Sequence, residues 1–225
     1  MFDLQNWLDK YISAVDEAFG ARIVFIGLQG SYARGEHHDG SDIDVVLVLD
    51  KLSAGDLKLY RSVIANLPQR EKICGFVGGE AELKAWDKAD LFQFYHDTKA
   101  VYGDLSFLAP VFTDENIKRA VHTAACNIYH ACAHNFVHER SEEILKGLFK
   151  SAAFALQAKY YLQYGAYISR KKDLLPQLTG LDYDVLAACM LPFENSLEQG
   201  TELLLGWSSE IIKQYGGEED GKAEN

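Results

Sequence analysis

The chain has 225 residues, 48% of them hydrophobic, which is enough for one large or two small domains with a real core. Its formal net charge of −11 argues against a general nucleic-acid binder, because that affinity rests on Lys and Arg neutralising phosphates. No apolar run reaches the length of a membrane span, and Met1–Trp7 lacks the basic start and apolar centre of a signal peptide, so a cytoplasmic protein is expected. Cys74, Cys126, Cys132 and Cys189 form no CxxC pair, which favours reduced thiols.

Leu4, Trp7, Leu8, Tyr11, Ile12, Val15 and Phe19 recur at helical spacing and predict a helix over 4–19, ended by Gly20. Residues 22–28 read as a buried strand. Residues 43–49 read as a second strand, whose unbroken Val/Leu run implies cover on both faces. Ser53 is placed to cap a helix over 53–66 that stops before Pro68. A third strand is expected over 72–77, broken by Gly78-Gly79, then a helix over 81–97 and a short extended segment at 100–103. From Thr113 helical periodicity runs to Tyr215, with breaks expected near Arg140-Ser141, at Gly165, between Pro176 and Gly180, at Pro192 and at Gly200. The fold class is therefore α+β, a small mixed sheet followed by an antiparallel helical bundle. The expected domains are 1–108 and 113–215, with a polar, disordered tail at 216–225.

Chemistry concentrates in residues 29–49. Gly30-Ser31 is followed, eleven residues after the serine, by Asp42-Ile43-Asp44 at the start of the second strand. Aspartates at i and i+2 on a strand project from one face, within reach of one or two hard cations. A Gly-Ser turn offers backbone N–H groups and a hydroxyl to a phosphate. Either piece alone is commonplace in loops and strand ends; their joint occurrence in one hairpin points to a metal–triphosphate site.

Gly30-Ser31-x-x-Arg34-Gly35 followed by Ser41-Asp42-Ile43-Asp44-Val45 resembles the signature of the DNA-polymerase-β-like nucleotidyltransferase superfamily, in particular its minimal and antibiotic-modifying branches, over residues 20–105. The resemblance implies Asp42 and Asp44 as catalytic carboxylates and Mg²⁺ ligands, with Gly30, Ser31, Arg34 and Ser41 on the nucleotide, ATP being the expected co-substrate. Mg²⁺ is commonly held by one or two carboxylates together with substrate phosphates, which suits that assignment. Active members usually carry a third acidic residue on a later strand. Here the candidate strand is Lys72–Val77, Cys74 stands where that residue is sought, and Glu71, Glu80 and Glu82 are nearby alternatives.

Residues 113–215 resemble, in architecture only, the C-terminal bundle of aminoglycoside nucleotidyltransferases and the HEPN-like helical domains encoded beside minimal nucleotidyltransferases. HEPN-type ribonucleases are expected to show Arg, four to six residues, then His. Arg119 stands too close to His122 and too far from His130, and Arg140 has no following histidine, so the ribonuclease reading loses support. Lys146, Lys150 and Ser151 share one side of a helix; Lys150 is a candidate for the triphosphate, weighed against a solvent-facing position. His122, Cys126, His130, His134 and His138 recur every four residues in a slowly drifting stripe. Polar packing is the favoured reading of that stripe and cleft lining the second. A metal site lacks a third ligand of evident spacing.

The resemblance implies transfer of a nucleoside monophosphate, AMP from ATP, to a hydroxyl of a small molecule such as an aminoglycoside-like antibiotic. Protein adenylylation of the toxin–antitoxin type and a catalytically weakened nucleotide-binding module are the alternatives. A homodimer is implied on the same ground, and neither membrane nor nucleic acid is expected as a partner.

Overall fold

The computed structural model describes residues 2–108, 112–190 and 196–216. The expected domain cut around Pro110, the break at Pro192 and the tail after Gly216 lie outside the described residues. The chain divides into two compact units, one from Met1–Asp87 and Asp97–Pro110, the other from Lys88–His96 and Val111–Asn225.

The first unit opens with α1 (Leu4–Phe19), whose Asp3 side chain accepts from the Asn6 amide at the N-terminus and whose Gly20 cap takes φ +50. Its apolar stripe, Trp7, Leu8, Tyr11, Val15 and Phe19, is buried. Strand β1 (Ile23–Leu28) leads into the single helical turn α2 (Gly30–Arg34), and β2 (Ile43–Leu49) returns beside it. Helix α3 (Ala54–Ala65) starts at a capping box between Ser53 and Asp56. Strand β3 (Ile73–Gly79), the short helix α4 (Glu80–Lys84), helix α5 (Lys88–Asp97) and strand β4 (Lys99–Tyr102) follow.

The sheet order is β3-β2-β1-β4, with β1 antiparallel to β2 and β4 and β2 parallel to β3. Central β2 is buried from Val45 to Leu49, which explains its continuous apolar run. Arg22 fastens the far end of this hairpin, donating to Asp50 at 3.1 Å, to Asp56 at 2.6 Å and to the Lys51 carbonyl at 2.8 Å.

Two expectations differ from the structure in this unit. Strand β3 continues through Gly78 and Gly79, because its full length pairs with β2 out to Leu49↔Gly79. The helix expected over 81–97 is two helices separated by Ala85–Asp87. Helix α5, except for its last residue Asp97, groups with the second unit, where Phe92 is fully buried.

The second unit comprises α5 with α6 (Asp114–His134), α7 (Glu142–Tyr164), α8 (Lys171–Leu174), α9 (Gly180–Met190) and α10 (Leu197–Tyr215). Its core gathers Ile117, Val121, Leu145, Phe149, Leu156, Leu186, Leu204 and Trp207. Breaks fall at Arg140-Ser141, at the left-handed cap Gly165 and between Leu175 and Gly180, as the sequence predicts. Gly200 is no break. It lies buried inside α10, which is started by a capping box at Ser196 and Gln199; one glycine costs a helix only about 1 kcal/mol. Among the described residues no helix is long and apolar enough to cross a membrane.

Candidate functional site

The β1–β2 hairpin brings the end of one strand against the beginning of the next. Leu28 pairs with Val45, and the Gln29 amide extends the ladder by donating to the Asp44 carbonyl at 2.8 Å. Gly30 therefore lies directly on Asp44. It has φ +65, and a Cβ at this position would displace the Asp44 carboxylate, which favours glycine here. Ser31 follows in α2, whose first turn has no side-chain cap from Gln29. Gly30-Ser31, expected as a turn, is the first turn of a short helix closed by Gly35 in the left-handed region.

Asp42 is exposed and immediately precedes β2, whereas Asp44 is its second residue and only partly exposed. The Asp44 carboxyl is raised above the ordinary carboxylate range, first by burial and then by the charge of Asp42, with Arg34 opposing. A partly desolvated carboxylate beside a second, exposed one makes an oxygen donor pair suited to a hard divalent cation. The residues present thus fit Mg²⁺.

Ser41 is occupied by the loop itself, and Arg34 by Glu36 and Asp97. Ser41 is buried; its hydroxyl accepts from the His38 amide at 2.9 Å and its own amide donates to the His38 carbonyl at 2.9 Å, closing the turn before Asp42. Arg34 donates through Nε to Glu36 at 3.0 Å and through Nη1 to Asp97 at 3.3 Å. The Arg34 and Asp97 side chains are each less than a tenth exposed. Gln29 is held similarly, donating through Nε2 to Thr98 Oγ1 at 2.7 Å. Asp97 and Thr98 escaped the sequence reading. No local pattern links them to a loop more than sixty residues earlier; the antiparallel pairing of β4 with β1 delivers them.

In the parallel β2–β3 register Cys74 stands opposite Asp44. Glu80 is paired with Lys84 at 2.6 Å, Glu82 folds back over Gly79, and Glu71 lies in the short helical turn before β3. Among the described residues no group of three or more His, Cys, Asp or Glu side chains is placed to hold a metal ion. Lys150 is exposed on α7 in the second unit, and the neighbouring Ser151 hydroxyl donates to the Gly147 carbonyl at 3.2 Å.

A sequence model of the nucleotidyltransferase domain matches residues 8–91, which include the whole hairpin. No curated protein matches the chain. Among solved structures, the chain is similar to spectinomycin adenyltransferase AAD(9) from Enterococcus faecialis, crystallised with ATP and spectinomycin, at 12% identity and a TM-score of 0.59 over 94% of this chain and 100% of that one. A nucleotidyltransferase-like protein from Exiguobacterium sibiricum 255-15 matches at 12% identity and a TM-score of 0.36, over 94% of this chain and 77% of that one. The domain match thus covers residues 8–91, and the likeness to the first structure is one of fold.

Proposed function

We propose that the chain is a nucleotidyltransferase that moves AMP from ATP to a hydroxyl of a small molecule of the aminoglycoside-like antibiotic class. The observation that carries the reading is the Asp42–Asp44 pair with Gly30 packed on Asp44, inside the stretch that matches the nucleotidyltransferase domain. The similar adenyltransferase, crystallised with ATP and an antibiotic, supports the choice of nucleotide and acceptor class.

In this reading Asp42 and Asp44 hold Mg²⁺, and the glycine at position 30 keeps that carboxylate corner open. When bound, the cation neutralises phosphate charge and orients the triphosphate. The Ser31 hydroxyl and the amides at the start of α2 hold the β- and γ-phosphates. Arg34, fixed by Glu36 and Asp97, contributes its charge from a set position. Ser41 shapes the turn that presents Asp42. The expected outcome is transfer of label from α-labelled ATP with Mg²⁺ to an aminoglycoside or aminocyclitol acceptor. Asp42→Asn with Asp44→Asn abolishes transfer and leaves the melting temperature unchanged or higher, because a desolvated, repelled carboxylate is removed. Retained turnover in that variant refutes the assignment.

One observation favours a second reading. Cys74 stands opposite Asp44, and among the described residues no third carboxylate joins Asp42 and Asp44 to deprotonate an acceptor. A catalytically weakened module that binds Mg–ATP without turnover would show ATP affinity lost with Asp42 and Asp44 and no labelled product from any acceptor. Label appearing on a protein rather than a small molecule would favour protein adenylylation.

A further inference from the structure

Outside the hairpin, the most developed cluster of ligating side chains is the histidine stripe at the end of α6. The sequence favoured polar packing for it, yet His130, His134 and His138 are all exposed. Their alignment depends on a local departure from α-helix. Residues Asn135–Glu139 form one π-helical turn directly after α6. In a regular α-helix each four-residue step overshoots a full turn by about 40°, and the wider π turn offsets part of that drift. The ring centroids of His134 and His138 are 4.8 Å apart, against 6.4 Å for His130 and His134 on the regular helix.

The turn is held by a buried polar bracket. Asn135 is 1% exposed; its Nδ2 donates to the Ser141 carbonyl at 2.9 Å and its Oδ1 accepts from the Ser141 amide at 3.0 Å. Arg140, at φ +50, donates its amide to the Asn135 carbonyl at 2.6 Å, and its guanidinium lies 5.7 Å from the Phe136 ring centroid. A non-glycine residue in the left-handed region and a buried amide are both unfavourable unless the surrounding structure requires them. Here they fix the one irregular turn that brings two imidazoles together.

We propose that His134 and His138 form a two-imidazole chelate for a divalent transition-metal ion of the zinc, nickel or copper kind. Two imidazoles bound to one tetrahedral ion, with metal–nitrogen bonds near 2.0 Å, place their ring centroids about 5 Å apart, close to the observed separation. Imidazole nitrogens prefer these metals over Mg²⁺, so the site is chemically distinct from the carboxylate pair. No third protein ligand converges among the described residues. Water completes the shell. Because the metal binds the folded turn, it raises the thermal stability of the protein.

The test uses the full chain titrated with Zn²⁺ by calorimetry and with Co²⁺ by visible absorption, which reports the ligand set. The unsubstituted chain is expected to bind one ion and to melt at a higher temperature with Zn²⁺. His134→Ala and His138→Ala should each weaken binding by about a hundredfold, at least the loss caused by removing an outer-shell partner, and abolish the thermal shift. Asp42→Asn with Asp44→Asn should leave the ion bound, so failure here is distinguishable from failure of the nucleotidyltransferase reading. His122→Ala with Cys126→Ala removes the other four-residue pair, whose sulfur and ring nitrogen lie 3.8 Å apart. The proposal is overturned if the chain binds no Zn²⁺, if neither His134→Ala nor His138→Ala weakens binding, or if only the His122/Cys126 variant does.

Discussion

At Gly30 and Cys74 the candidate site turns on single atoms. Gly30 combines a left-handed backbone with a side of the α-carbon pressed against Asp44 Oδ2. Gly30→Ala is expected to cost about 1–2 kcal/mol from the backbone alone and to displace the Asp44 carboxylate. Mg–ATP affinity should then fall more steeply than the melting temperature, which isothermal titration beside thermal unfolding will show. Cys74 poses the converse case, since a thiol occupies the register position opposite Asp44. Cys74→Glu is expected to raise the transfer rate if an absent third carboxylate limits turnover, and a rate assay with saturating ATP checks it. The Gly-Ser pair and both aspartates were legible from residue type and spacing. The engagement of Arg34 by Asp97 was not, because it depends on a strand pairing and on no local pattern.

Strand β3 shows how an element can be recognised while its extent is misjudged. Its glycines suggested an early stop, but a parallel partner along its whole length supplies hydrogen bonds that outweigh the lower strand preference of glycine. Gly75 has a specific reason to be glycine: φ is +127, and a Cβ would run into the Val45 backbone carbonyl and amide. Gly75→Ala should cost about 1–3 kcal/mol in backbone strain and more through the clash, which involves backbone that cannot rotate away. Denaturant unfolding of that variant measures it. The helix starts at Ser53 and Thr113 were legible because those residues carry their capping role in the sequence, whereas the caps at Ser141 and Ser196 emerge from the structure. The π turn at Asn135 was not, since its bracket closes across six residues through a buried amide.

On the scale of the whole molecule, the chain builds two cores, and the core of the helical unit encloses a titratable imidazole. His96 lies among Phe92, Tyr95, Phe112, Tyr161 and Tyr167, stacked on Tyr167 at 4.7 Å, and its buried Nε2 has no hydrogen-bond partner among the described residues. Burial lowers its pKa below the usual 6.5. The unfolded chain therefore binds this proton more readily than the folded one, so stability falls as pH drops below about 6.5 toward the lower folded value. His96→Phe should remove that part of the pH dependence. Melting temperatures of both proteins between pH 7.5 and pH 5 should diverge on the acid side, and parallel curves would exclude the effect.

By itself the sequence determined the α+β class, most helix and strand positions, and the Gly30-Ser31…Asp42-x-Asp44 constellation, because periodicity, capping and short-range spacing act between near neighbours. Only the tertiary structure decided what depends on distant segments meeting: α5 grouping with the helical unit while Asp97 reaches Arg34, Cys74 facing Asp44 across parallel strands, and the exposed histidine pair held by Asn135 and Ser141. Such contacts follow from strand register and core packing, which link residues far apart in the chain and leave no periodic trace in it.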